Sequence, residues 1–365
     1  MRVRWGVLAA AVVVSVTSAP VLAATSGVSS GRVVAHSPII AVLDSGLRAS
    51  HREFDYRGWR AANDQLVGWW DFTADKKPKV VLPRPGQRWD PQVRVPYDDV
   101  GHGSGVAAMA VGLNRSAAKT PSSAPGYRLA VGKVLDSANA GQATLAAAIT
   151  WATHTVHADV ISISIGSPTP LPAAVSAQIF AAIDDAWQSG TLVVVANGNG
   201  WGDVGLVPGQ PGWASDFGSS THVLAVGESG TQGVLDDTDP EVTAQGNVHT
   251  ATNTGDDDYT DEGGSSFAAP FVAGFAARLI EAARQAGKRL SPDRLRELIE
   301  YSAVDTVRPP ASEGYGEIAL QQLPAALGYA RSGGLPARPN PDPTGWYVDN
   351  VAMALRDAWS NQLRG

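Results

Sequence analysis

Three short segments of this chain carry side chains whose types could do nucleophilic chemistry. Asp44 ends the apolar run PIIAVLD and opens LDSG, His102 lies among small residues in DDVGHGSGVAAMAVG at what reads as a helix start, and Ser266 lies in GGSSFAAPFVAG with a helical pattern behind it. Each alone has a plain reading: an Asp-Ser-Gly is a turn, a lone histidine fills a core, and a Gly-Ser-Ser is a flexible loop. Together they supply the parts of an acyl-transfer site. A serine hydroxyl is a poor nucleophile near neutral pH, so it needs a neutral imidazole to take its proton; the imidazole needs a carboxylate to fix its tautomer and stabilise its charged form. The chain has no cysteine, which excludes thiol nucleophiles, disulfides and thiolate metal sites.

Such groups need a rigid frame. RLAVGKVL (128–135), ADVISISIG (158–166), TLVVVANG (191–198) and HVLAVGE (222–228) are near-continuous apolar runs, the pattern of parallel strands covered on both faces. Between them QATLAAAITWATH (142–154) and AAVSAQIFAAIDDAWQ (173–188) repeat with a helical period, the second closed by Gly190. The alternation predicts an α/β fold: a doubly wound, mostly parallel sheet flanked by helices. Catalytic groups in such sheets gather at the carboxyl ends of strands, where Asp44 stands. Two helices are predicted to close the domain. One runs from about Ser266 to Ala286 with Pro270 in its first turn, and the other starts at Ser291 with Pro292 next to it.

The chain of 365 residues, 44% apolar and 17% charged, is long enough for one large domain or two modest ones. Its net charge of -7 and pI near 5.5 argue against a nucleic-acid binder. Arg2 and Arg4, an apolar run from Trp5 to about Val16 and small residues at Ala19, Ala23 and Ala24 form a signal-peptide pattern. Cleavage is expected after Ala23. A membrane anchor is the competing reading, but the run falls short of the ~20 residues a span needs. No later segment reads as long and apolar enough to span. The expected division is a signal peptide over 1–23, a short polar segment over 24–37, one domain over 38–330, and a Pro/Gly-rich linker and tail over 331–365. Within the tail, VDNVAMALRDAW is expected to form a short amphipathic helix packed on the domain.

The chain order Asp, His, Ser is that of the subtilisins, and the segments resemble the subtilase family motif by motif. The resemblance rests on LDSG at Asp44, HGSGVA at His102, SIG at Ser164 to Gly166, NGNG around Asn199 and GSSFAAP at Ser266. It implies a secreted serine endopeptidase with Asp44, His102 and Ser266 as a triad. It implies that Asn199, after Gly198, donates to the oxyanion alongside the Ser266 backbone N–H, with Asn197 as the near competitor. Ser164, Ile165 and Gly166 resemble the strand that pairs with the substrate backbone, and Gly141 resembles part of the opposing strand. The implied partner is a polypeptide substrate, bound by a monomer with no nucleic acid and no lasting membrane insertion. No cofactor is implied as required, and calcium is left open. Two other uses of the same residues stay open: a peptide ligase or cyclase, and a pseudoprotease that binds polypeptide without cutting it.

The chain also departs from the family's pattern. Ser104 and Ser265 stand where threonines are usual, and Phe267 replaces a methionine and is expected to crowd the site. Arg115, in LNRS, takes the place of a common calcium-liganding asparagine, and a cation there would repel calcium. Glu53, at another ligand position, is therefore expected to be a surface carboxylate. Residues 74–96 read as an insertion forming a solvated loop. Asp256, Asp257, Asp258, Asp261 and Glu262 cluster before Ser266, and their field would favour basic substrates. Secreted members commonly carry a folded pro-domain, whereas residues 24–37 are too few to bury a core. Folding without an intramolecular chaperone is the expectation.

Overall fold

In a computed structural model of the chain, Ile39–Asp44 (β1) is the strand around which the rest is laid out. The residues described are 34, 36–54, 65–73, 96–136, 142–166, 171–199, 220–229, 240–306 and 313–335. The expected signal peptide, residues 24–33 after it, residues 74–95 of the insertion, Gly141 and the tail from 336 onward with its expected helix lie outside the described residues.

Successive side chains of β1 point to opposite faces. Ile40 and Val42 enter one apolar layer while Ala41 and Leu43 enter the other, which is why the run is apolar throughout. The strands that follow are Leu66–Asp71 (β2), Arg128–Lys133 (β3), Val160–Ile163 (β4), Leu192–Ala196 (β5), Leu224–Ser229 (β6) and Val242–Gln245 (β7). Val248–Ala251 (β8) and Tyr259–Glu262 (β9) form a separate antiparallel pair, and Glu317–Ile318 (β10) closes one edge of the main sheet. The order is β10-β7-β6-β5-β4-β1-β3-β2, and every pairing in it is parallel.

Helices His102–Val111 (α1), Gln142–His154 (α2), Ala173–Gln188 (α3), Ser265–Gln285 (α4), Pro292–Ser302 (α5) and Leu323–Ser332 (α6) cover the sheet. α1, α4, α5 and α6 share one apolar layer; α2 and α3 fill the other. The predicted doubly wound α/β architecture is present. The Ser291 hydroxyl caps α5 by accepting the Arg294 N–H at 3.2 Å, as the Ser-Pro pair suggested.

Three expectations are corrected. α6 packs against α4, so three helices close the domain rather than two. α4 starts at Ser265, which puts Pro270 in the helix interior and not in its first turn. By length and composition α4 could also cross a membrane, contrary to the expectation that no later segment could. Its apolar side chains are mostly buried against the sheet and α1.

Candidate active site

The carboxyl edge of the sheet collects the candidate residues. β1 ends at Asp44, paired in register with Lys133 of β3, while β4 leads into Ser164 and β5 into Asn197 and Asn199. Asp44 is fully buried, and its Oδ1 accepts the Ser45 N–H at 2.7 Å and the His102 Nδ1 at 2.8 Å. A carboxylate only accepts, so Nδ1 carries the hydrogen and Nε2 is left with the lone pair of a base. Nε2 makes no hydrogen bond among the described residues, and the imidazole is 28% exposed. Burial alone would lower the pKa of His102. The charge and hydrogen bond of Asp44, with Asp98 and Glu262 beyond it, outweigh burial and raise it above the ordinary 6.5.

α1 reaches Asp44 because its first turn has no bulk. A Cβ on Gly103 would lie 2.4 Å from the Gly46 carbonyl oxygen, and the Gly103 N–H instead donates to Ser45 Oγ at 2.8 Å. Ser104 keeps the role a hydroxyl can play there, accepting the Arg48 N–H at 2.9 Å and donating to Asp98 Oδ2 at 2.7 Å.

Ser266 sits at the start of α4 behind Gly264, whose φ of 110° suits glycine and whose missing Cβ leaves room for the Asn199 amide. Ser265 fixes that amide. Its N–H and its hydroxyl donate to Asn199 Oδ1 at 2.8 and 2.9 Å, and its Oγ accepts the Gly198 N–H at 3.1 Å. Since a backbone N–H can only donate, the amide oxygen faces Ser265 and the NH2 is turned away as a donor. Asn197, just past the end of β5, is 1% exposed, whereas Asn199 is half-buried.

Ser164 and Ser266 bind each other reciprocally. Ser164 Oγ donates to the Ser266 carbonyl at 2.8 Å, and Ser266 Oγ donates to the Ser164 carbonyl at 3.3 Å. Pro270 explains the first bond, because it has no N–H for the carbonyl four residues back, which is that of Ser266. No hydrogen bond joins Ser266 Oγ to His102 in this structure. The two halves of the site meet through Phe267, whose ring packs edge-on to the imidazole with centroids 5.3 Å apart. Phe267 is 1% exposed, so it supports the imidazole from beneath rather than crowding the cleft, a correction of the sequence expectation. Ile165 is buried and Gly166 half-buried beyond Ser164; Gly141 is outside the described residues.

Glu53 is fully buried, not a surface carboxylate. Its Oε1 accepts the Arg115 N–H at 3.1 Å, the Ser116 N–H at 3.3 Å and the Tyr259 O–H at 2.7 Å, which is how a charge can leave water. Beside it the buried Lys119 ammonium donates to the carbonyls of Ala108 and Thr120, each at 3.0 Å, and to Asn114 Oδ1 at 3.4 Å. The acidic cluster is largely paired. Arg48 meets Asp256 at 2.9 Å, Arg52 meets Asp257 at 3.3 Å and His249 meets Asp261 at 2.7 Å.

Sequence reasoning missed Asp98 and Ser45. Asp98 accepts the N–H groups of Val100 and Gly101, two and three residues on, and Asp-x-x-Gly before a helix was a capping signal in plain view. Ser45 gives no such local sign, because its partners Asp98 and Gly103 are far along the chain.

An aspartate-held imidazole, a serine leading a helix and an asparagine amide, all at the carboxyl edge of a parallel sheet, define an α/β protein carrying an Asp/His/Ser constellation. More specifically, this chain belongs to the subtilase family, whose profile matches residues 35–317. It is 30% identical over 250 residues to subtilisin E of Bacillus subtilis (strain 168), covering 66% of this chain and 55% of that protein. It is 26% identical over 266 residues to thermitase of Thermoactinomyces vulgaris, covering 72% and 80%. The chain thus spans about half the length of subtilisin E, at 55%. A solved structure described as proteases from Pseudoalteromonas arctica PAMC 21717 matches with a TM-score of 0.58 at 20% identity, over 80% of this chain and 90% of that one, and shows the fold alone.

Proposed function

We propose that the chain is a secreted serine endopeptidase that cuts peptide bonds through an acyl-enzyme on Ser266. The observation that carries this reading is the 2.8 Å bond from His102 Nδ1 to buried Asp44, which leaves Nε2 free as a base. A substrate backbone N–H that takes the Ser164 carbonyl would release the Ser266 hydroxyl from its long 3.3 Å bond, and a change of χ1 then turns it to Nε2. As the Oγ–carbonyl bond forms, Nε2 takes the hydroxyl proton and Asp44 stays ionised. The oxyanion is received by the Ser266 N–H and the Asn199 NH2. His102 then returns the proton to the amine as the C–N bond breaks. Water repeats the cycle on the ester and restores Ser266.

Support for the oxyanion role is the Ser265 latch on Asn199, which engages the amide oxygen and leaves its NH2 as the donor. Support for secretion is the basic, apolar, small-residue order at the N-terminus. The chemistry of this reading is carried by the chain's own side chains, with no metal in any step. The oxygens around Lys119 already surround an ammonium, and Glu53 Oε1 is taken by three donors while its buried Oε2 has no hydrogen-bond partner among the described residues. The ammonium takes the place of a bound cation among the oxygens of Ala108, Asn114 and Thr120.

His102→Ala and Ser266→Ala should each abolish peptide turnover while leaving the circular dichroism spectrum unchanged. Near wild-type turnover by either variant would overturn the reading. Labelling of Ser266 by a fluorophosphonate separates a catalyst from a polypeptide-binding pseudoprotease, and product mass separates hydrolysis from transfer to an amine.

A further inference from the structure

We propose that Asp98 is a positioning residue for the Asp44–His102 pair, locking the end of β1 to the first turn of α1. The inference rests on the reading of His102 as the base. Asp98 Oδ1 accepts Ser45 Oγ at 2.8 Å, the Val100 N–H at 3.1 Å and the Gly101 N–H at 2.8 Å; Oδ2 accepts the Ser104 N–H at 2.8 Å and Ser104 Oγ at 2.7 Å. Ser45 follows Asp44 directly, and Gly101 and Ser104 flank His102. Ser45 Oγ in turn accepts the Gly103 N–H, which closes the circuit between strand end and helix.

A helix cap alone would need only the backbone donors of α1. The bond to Ser45 is additional, and it is the one that ties the cap to the catalytic strand. The segment is pinned twice more. Asn253 Nδ2 donates to the Asp98 carbonyl at 3.0 Å, and Asp99 pairs with the buried Lys133 ammonium, which also donates to the Ser45 carbonyl at 2.6 Å and the Leu135 carbonyl at 2.8 Å. Five donors on two oxygens demand a carboxylate, because an amide would set its own N–H against one of them.

Asp98 also acts through its charge. The ionisable groups facing the imidazole are Asp44 from β1, Asp98 from the segment before α1 and Glu262 from β9, while α4 presents the apolar ring of Phe267. Burial disfavours the imidazolium, Asp44 favours it most, and Asp98 adds to Asp44. Removing the Asp98 charge therefore moves the protonation of His102 to lower pH.

The test compares Asp98→Asn, Asp98→Glu and Ser45→Ala in the full chain, with kcat and KM across pH. The imidazole nitrogens are titrated by NMR in a Ser266→Ala background. Asp98→Asn should lower kcat about tenfold or more with KM nearly unchanged, and should shift both the acid limb and the NMR titration to lower pH. Asp98→Glu should lose kcat with the acid limb in place, because the charge remains but the longer arm misses the five donors. Ser45→Ala should do the same more mildly. Wild-type kcat and an unmoved titration in folded Asp98→Asn would overturn the proposal, as would losses that vanish once the folded fraction is corrected for. If the titration moves as expected but His102→Ala still turns over substrate, the base assignment fails and the positioning of the imidazole by Asp98 stands.

Discussion

Ser164 shows how one hydroxyl can serve a backbone defect elsewhere. Its bond to the Ser266 carbonyl replaces the one that Pro270 cannot make, so the candidate nucleophile's own peptide is held from outside its helix. Ser164→Ala should cost about 1 kcal/mol of stability, the usual net value of such a bond, and should lower kcat more than it raises KM. In a Pro270→Ala background the helix regains its N–H, and the cost of Ser164→Ala should shrink. A double-mutant cycle by urea denaturation and steady-state kinetics checks this, and full additivity would count against the linkage. The side-chain role of Ser164 could not be read from SIG alone. It depends on β4 and the start of α4 lying side by side, a contact between residues 102 positions apart that neither segment records by itself. Glu53 was misjudged for a similar reason: its donors come from Arg115, Ser116 and Tyr259, and only the folded chain brings them to one oxygen.

Among the elements, those buried on both faces were the legible ones. β1, β3, β4, β5 and β6 are continuous apolar runs, and α2 and α3 repeat with a helical period. β2 was missed because Gly68 interrupts its run, at the point where its register slips against β3. The β8–β9 pair was missed because YTDE is polar and half exposed, with no alternation to betray a strand. The close approach of α1 to β1 is the contact between elements on which the candidate site depends. The three atoms in the way of a Gly103 side chain are all backbone, the Gly46 oxygen at 2.4 Å and nitrogen at 2.8 Å and the Ser45 nitrogen at 3.1 Å, so none can swing aside. Gly103→Ala should therefore destabilise the fold by roughly 1–3 kcal/mol, as overpacking does, and should lower activity further by parting His102 from Asp44. Urea melts and kcat together check this. An alanine variant with wild-type values for both would mean that α1 shifts freely.

At the scale of the molecule, the ammonium of Lys119 stands out as an internal cation. Burial pushes its pKa down from 10.5 to about 8, with Glu53 opposing. Near neutral pH it is still charged and held by carbonyl oxygens. Because the native value lies below the unfolded one, the unfolded chain binds the proton more tightly between pH 8 and 10.5, and stability contributed by this group rises across that window. The gain is roughly 3 kcal/mol at its limit. The stability of wild type relative to Lys119→Met should thus grow from pH 8 to 10.5, measured by urea denaturation, while calcium and chelators leave wild type unchanged. A flat difference, or a calcium-dependent wild type, would refute the internal-cation account. The layout of the sheet has a further consequence, one of timing. Asp44 lies in the first strand, Ser266 lies in the first turn of a helix late in the chain, and that helix packs across β1, β4, β5, β6 and β7. A parallel sheet made of such distant pairings closes slowly, and the candidate nucleophile Ser266 is brought to the same sheet edge as His102 only when most of those strands are side by side. On the proposed reading, chain order works as an interlock: until α4 has docked on the sheet, the candidate nucleophile Ser266 is not held beside His102, and a partly made chain lacks the assembled site.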